Sequence, residues 1–212
     1  MNKIVLFGPA PSSYVRTARM VCVEKGLEHA LEPLELGSAA HLKVHPWGKV
    51  PAMRHGDVQL IETSAIARYV DEVGPGPSLL PDTAAARAVM EQWISTINCY
   101  LYDSLVRNYA LKYILPSFRG AAPDPQEIAA GVPAMQRDVA RLDAAYAGRP
   151  FLAGDKLSLA DLFVAPIVQT VSMFPEGKAA IAQAPELARV QATLESRASF
   201  VQAHAGLFGR AK

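Results

Sequence analysis

The strongest constraint on what this chain can fold into lies at Gly74-Pro75-Gly76-Pro77, where the sequence pattern changes character. Upstream, apolar runs of strand length alternate with amphipathic helical runs; downstream, no convincing strand follows. A cluster of breakers at such a change predicts two units, a small α/β domain over 1–77 and an all-helical domain over 84–212. The chain has 212 residues, of which 50% are apolar, enough to build such cores without staples.

The upstream order reads β-α-β-α-β-β-α. Lys3 to Phe7 is a continuous apolar run closed by Gly8-Pro9. Ser12 or Ser13 caps a helix running to about Lys25, with Val15, Ala18 and Cys22 on one face and Gly26 just past its end. Leu27 to Leu34 is a second strand and Ala39 to Val44 a short helix. Pro51 to Arg54 and Val58 to Ile61 flank His55-Gly56-Asp57 as a hairpin, and Glu62 to Val73 forms a third helix. The first half is a βαβ unit, whose parallel crossover is right-handed.

Past the breakers, Thr83 to about Tyr113 is a long helical pattern stopped by Pro116. Asp124-Pro125 opens another helix, broken near Gly131 and Pro133 and resuming to Ala147. Ser158-Leu159-Ala160-Asp161 is a capping box, in which serine and acid satisfy first-turn amides reciprocally. The apolar run Leu159 to Phe174 is interrupted by Asp161, Pro166 and Gln169, so it reads as a buried helix and not as a membrane span. A last helix fills Pro185 to Ala198.

A net charge of +1 without a dense basic patch argues against nucleic acid as the main partner. The apolar start stops at Gly8-Pro9, too short for a signal peptide. Cys22 and Cys99 make neither a CxxC motif nor a metal-ligand spacing, so reduced thiols in a cytoplasmic protein, with no metal, are expected.

Two segments carry the chemistry. His45-Pro46-Trp47-Gly48-Lys49-Val50-Pro51 enters a strand through a proline that cannot donate its amide, so it belongs at an edge or bend. Leu60-Ile61-Glu62-Thr63-Ser64-Ala65-Ile66 leaves the next strand and starts a helix, whose free amides and dipole attract an anion. Together they read as a backbone clamp beside a helix N-terminus, suited to a small peptide with a free carboxylate. The plainer alternatives are a strand-edge proline and a threonine that only caps its helix.

These residues, with Leu79-Leu80-Pro81-Asp82 and the capping box, resemble the glutathione transferase family over nearly the whole chain. The resemblance implies a thioredoxin-like βαβαββα domain followed by an all-α domain, with Gly8 to Arg16 as a serine-type active-site loop of bacterial-like character. Ser13 departs from the proline many relatives carry, and Thr63 from the usual serine.

The implied glutathione site follows from the matched positions. Pro51 is cis and the Val50 main chain pairs with the cysteinyl unit like an added strand. Glu62 accepts from the ligand ammonium, Thr63 donates to the γ-glutamyl carboxylate, and Lys49 faces the glycyl carboxylate, unless it is a solvated surface lysine. Ser12 donates to the bound sulfur and stabilises the thiolate, with Ser13 and Tyr14 as alternates; a plain helix cap is the competing role for Ser12. Arg16 adds positive potential or is a solvated helix residue. No cysteine begins the first helix, so dithiol exchange is excluded and mixed-disulfide chemistry is disfavoured.

Pro9, Pro11, Tyr102, Val106, Tyr109 and Tyr113 would wall a pocket for a hydrophobic electrophile, though an aromatic stripe at helical spacing also suits plain core or a dimer interface. Asp103 would reach across a homodimer toward the ligand ammonium. The implied activity is conjugation of glutathione to an electrophilic carbon, in the cytoplasm and without a membrane partner. Glutathione-dependent isomerisation, peroxide reduction, or ligand binding without turnover would use the same site. The isomerases of the family often carry Ser-Ser-Cys where this chain has Ser12-Ser13-Tyr14. Asp161 is expected to serve folding rather than chemistry.

Overall fold

The computed structural model describes residues 3–205, which divide into two compact units, one over 3–80 with 195–205 and the other over 81–194. The first unit is built on a four-stranded sheet in the order β2-β1-β3-β4, from β1 (Ile4–Phe7), β2 (His29–Glu32), β3 (Ala52–His55) and β4 (Val58–Ile61). β1 and β2 run parallel, joined through α1 (Ser13–Glu24), whereas β3 is antiparallel to both β1 and β4. α2 (Ala39–Val44) precedes the hairpin and α3 (Thr63–Val73) follows it. α1 packs against α3, burying Val15, Ala18, Met20, Val21, Cys22, Ile66, Ala67 and Val70. This is the thioredoxin-like arrangement expected from the sequence.

The breaker cluster is not a free linker. Lys25 is buried and pairs with Asp71 at 3.0 Å, and its Nζ donates to the carbonyls of Gly76 and Pro77. Asp71 in turn accepts from the Leu79 N–H at 2.8 Å. A buried ion pair holds only when its remaining donors and acceptors are satisfied, which these carbonyls and this amide do.

The chain end also differs from expectation. Pro185 to Ala198 is not one helix: α9 covers Pro185–Glu195, and a separate α10 covers Ala198–His204. α10 lies along α1, where Glu24 accepts from Arg197 at 2.7 Å, and Arg19 donates to the carbonyls of Gln202 and Ala203. An acid at its N-terminus and an arginine at its C-terminus both complement the helix dipole. The expected helical domain over 84–212 is therefore shortened at its C-terminal end.

The second unit is all-helical, around the almost wholly buried α7 (Leu159–Ser172). Its capping box is present, and Asp161 is fully buried with acceptor bonds from Ser158, Leu152 and Tyr146. The long run does not stop at Pro116. It continues from α4 (Ala84–Thr96) through π-helical segments at Ile97–Leu101 and Asp103–Ala110 into α5 (Leu111–Phe118), with Pro116 in its closing turns.

α6 (Pro125–Tyr146) is likewise continuous through Gly131 and Pro133. Gly131 is there for close approach: a Cβ would sit 2.1 Å from the Asn108 carbonyl oxygen. A short α8 (Pro175–Ala182), absent from the sequence reading, follows α7. Among the described residues no helix is long and apolar enough to cross a membrane.

Candidate functional site

The sheet register gathers the predicted site. Phe7 pairs with Ala52 and Ala52 with Ile61, so these three lie in one row across β1, β3 and β4. The residues just beyond that row share one end of the sheet: Gly8 onward after β1, Val50-Pro51 before β3, and Glu62-Thr63 after β4. Gly8 closes the gap, because a Cβ on it would fall 2.7 Å from Val15 Cγ2 and 3.1 Å from Val50 Cβ, at a φ of +143°. No other residue type fits between the serine loop and the clamp.

The Val50-Pro51 peptide is cis. Among the described residues, neither the N–H nor the C=O of Val50 has a backbone partner. Val50 itself is half-buried and Lys49 exposed. An unpaired main-chain donor and acceptor next to a strand is the feature an extended peptide can add to.

Glu62 has φ +67° and is the one non-glycine residue with positive φ among the described residues. It is the N-cap of α3, and no side chain caps that terminus. Thr63 is therefore the first helical residue, which corrects the reading of Thr63 as a cap. The first-turn amides of α3 are left for another acceptor. A strained, exposed acid ahead of an uncapped helix start is costly unless a ligand uses it.

Ser12 is the N-cap of α1, its Oγ accepting from the Val15 N–H at 3.5 Å, long for a hydrogen bond. Accepting uses a lone pair and leaves the hydroxyl proton free to donate, so the capping and sulfur-binding roles are compatible. Ser13 is buried inside the first turn and Tyr14 half-buried. Pro9 is half-buried and Pro11 exposed on the same loop.

Arg16 is not solvated: it is 2% exposed, in contact with His204, and burial brings its pKa down to about 10, with Arg19 adding to the effect. Burial pushes the Cys22 thiol up to about 12, which leaves it inert. Cys99 is exposed and unpaired with Cys22.

The aromatic stripe divides between core and partly accessible positions. Tyr109 is fully buried, donates to Glu176 at 3.1 Å and accepts from the Gly177 N–H at 2.7 Å. It is a core residue, and Val106, 4% exposed, is nearly one. Along this π-helical stretch Ile97, Leu101, Leu105 and Tyr109 are buried at four-residue intervals.

Tyr102 is half-buried beneath the Arg107 guanidinium, and burial raises its pKa. Tyr113 stacks on Phe174 at 4.2 Å, donates to Glu176 at 2.7 Å, and lines an open apolar cleft with Pro123, Pro125, Ile128 and Pro133. Asp103 is half-buried and pairs with Arg107 at 2.6 Å on its own helix.

The sequence reading missed two residues beneath the clamp, His41 and His45, both essentially unexposed. Burial lowers the His45 pKa, against the opposing pull of Glu62. Their four-residue spacing, with His41 on α2 and His45 at its C-cap just ahead of the Pro46–Pro51 segment, was the available signal.

Comparisons with known proteins bear on the family and the fold. The family model for the glutathione S-transferase N-terminal domain matches residues 6–78, and that for the C-terminal domain matches residues 106–198. The chain is similar to glutathione S-transferase F9 of Arabidopsis thaliana, 31% identical over 82% of this chain and 83% of that protein. Glutathione S-transferase 3 of Zea mays is 28% identical over 94% and 92%.

Among solved structures, the apo form of glutathione S-transferase III superposes with a TM-score of 0.86 at 27% identity, covering 97% of both chains. A glutathione S-transferase from Rhodospirillum rubrum F11 gives 0.83 at 25% identity, over 95% of this chain and 92% of that one. With both domain models matched in order and a relative above 30% identity along most of its length, this chain belongs to the glutathione S-transferase family.

Proposed function

We propose that this protein binds glutathione at the end of its sheet and activates the thiol for conjugation to a hydrophobic electrophile. The observation that carries the proposal is the convergence of three unfinished features at one row of the sheet: the unpaired Val50 main chain, the uncapped start of α3, and the donor-competent Ser12 hydroxyl.

In this reading the Val50 N–H and C=O pair with the cysteinyl unit. The γ-glutamyl carboxylate rests on the α3 amides and the Thr63 hydroxyl, Glu62 accepts from the ammonium, and Lys49 neutralises the glycyl carboxylate. The sulfur then lies at the α1 N-terminus, where Ser12 donates to it. A free thiol titrates near ~8.5, so little is ionised at neutral pH; lowering that by about two units corresponds to about 2.7 kcal/mol in favour of thiolate. The thiolate attacks the electrophilic carbon and the leaving group departs with the electron pair of the broken bond.

A homodimer fits the exposed Trp47 of the first unit, 72% accessible, and a cytoplasmic setting fits the free Cys22 and Cys99. Ser12→Ala is expected to lower kcat/KM toward 1-chloro-2,4-dinitrobenzene by about 10- to 100-fold, equal to one to two units of lost thiol activation. Ser13→Ala should leave it within about twofold, because that side chain is buried in the helix turn. Equal rates for wild type and Ser12→Ala would remove Ser12 from the mechanism.

A further inference from the structure

His41 contributes no group to the site just described, yet its ring joins the two ends of the segment that forms the clamp. It lies on α2, is 0% exposed, and uses both ring nitrogens. The Gly37 N–H, ahead of α2, donates to Nδ1 at 3.0 Å, and Nε2 lies 2.9 Å from the Lys49 carbonyl oxygen, beyond α2. A main-chain N–H can only donate and a carbonyl only accept, so the imidazole is held as the neutral Nε2–H tautomer.

The peptide joining Lys49 to Val50 is trans, since the cis bond is the next one along. In a trans peptide the C=O and N–H point in opposite directions. Anchoring the Lys49 oxygen on His41 therefore aims the Val50 N–H away from α2, and this is a donor with no backbone partner among the described residues. A hydrogen bond accepted by the carbonyl also polarises the same peptide and strengthens its N–H as a donor. Backbone bonds from His45 N–H to the His41 carbonyl and from Gly48 N–H to the His45 carbonyl, both 2.8 Å, fold the intervening turn onto the ring.

We propose that His41 is a positioning residue for glutathione: by holding the Lys49 carbonyl it orients the Val50 amide that receives the cysteinyl unit. The proposal rests on the assignment of Val50 as the clamp. It separates binding from activation, because His41 acts on the peptide plane and Ser12 on the sulfur.

The test is a KM-against-kcat split on the full chain, paired with calorimetry using S-hexylglutathione. His41→Phe keeps the ring and removes both hydrogen bonds. It is expected to raise the glutathione KM and the S-hexylglutathione Kd about tenfold, the size of one well-placed hydrogen bond. The kcat at saturating glutathione and the pKa of the bound thiol should stay as in wild type. His41→Gln, whose amide can still donate to the Lys49 carbonyl, should recover part of the affinity.

Nitrogen NMR of the unmutated protein supplies a readout that needs neither variant to fold: His41 should show the Nε2–H tautomer, and addition of glutathione should shift the Val50 amide. Unchanged Kd in a folded His41→Phe, an Nδ1–H tautomer, or a loss confined to kcat would overturn the proposal. If unmutated protein fails to bind S-hexylglutathione at all, the clamp assignment itself falls. Binding that survives His41→Phe and His41→Gln undiminished removes only the role of His41.

Discussion

Single residues in this protein divide sharply between those held by several partners and those left open. Asp161 is of the first kind, with the Ser158 N–H and hydroxyl, the Leu152 N–H and the Tyr146 hydroxyl all donating to one carboxyl. Burial pushes its pKa up even against those four donors. Asp161→Ala would strand two buried amides and two hydroxyls, an expected loss of about 3–5 kcal/mol, or about 10 °C in melting temperature for a chain of this size. Calorimetric melting checks this; a change below about 1 °C would contradict it. Val50, Glu62 and Ser12 are of the second kind, and their openness is what supports the proposed site. The sequence showed these residues because proline, the helix-start pattern and serine carry local signals. It did not show that Glu62 takes a left-handed φ, nor that His41 braces the clamp. Both depend on chain segments that meet only once the sheet has formed.

Among the elements, α2, β4 and the starts of α1 and α7 fell where caps and turns put them, because those signals act within a few residues. Breakers misled wherever tertiary packing overrode them. Gly131 marks close contact with Asn108 rather than a helix end, and Pro116 and Pro133 are carried inside continuous helices. The π-helical turns left no trace in a pattern read at 3.6 residues, so the aromatic stripe was assigned one face when Tyr109 belongs to the core. α8 had a signal in Pro175-Glu176, a proline and an acid in a first turn.

The docking of α10 on α1 has a pH signature. His204 stacks on Phe200 at 3.7 Å, and burial, assisted by Arg16, lowers its pKa to about 4. An unfolded histidine takes a proton near ~6.5, whereas the folded one resists until far lower. Its contribution is thus complete above pH 6.5 and lost progressively between about 6.5 and 4. Burial opposes ionisation of Glu24, but donors from Arg197 and Ser199 prevail and keep its pKa below the usual value, so it loses stability in the same direction at still lower pH. After allowance for partial exposure, the histidine effect is about 1–2 kcal/mol. Melting temperature should fall by about 2–8 °C across that window, and His204→Gln should flatten the slope. An unchanged slope in that variant would show that His204 stays uncoupled from folding.

At the scale of the whole molecule, one end of a four-stranded sheet collects a glycine-packed serine loop, a cis-proline clamp and an uncapped helix. Every part of that site comes from the N-terminal unit, over a span of fewer than 60 residues. The two-domain architecture was legible in the shift at Gly74–Pro77, because strand and helix periods differ. The packing of the chain end onto α1 was not, since a short helix carries no mark of its partner. Net charge near zero gives little long-range steering, so recognition rests on the short-range fit of main-chain groups. The most direct measurement is an ultraviolet titration of glutathione on the full-length protein, following thiolate absorbance against pH. The account expects a saturable thiolate signal with an apparent pKa about two units below the free thiol, moving back toward ~8.5 in Ser12→Ala. A bound thiol that titrates like free glutathione in the unmutated protein would contradict it.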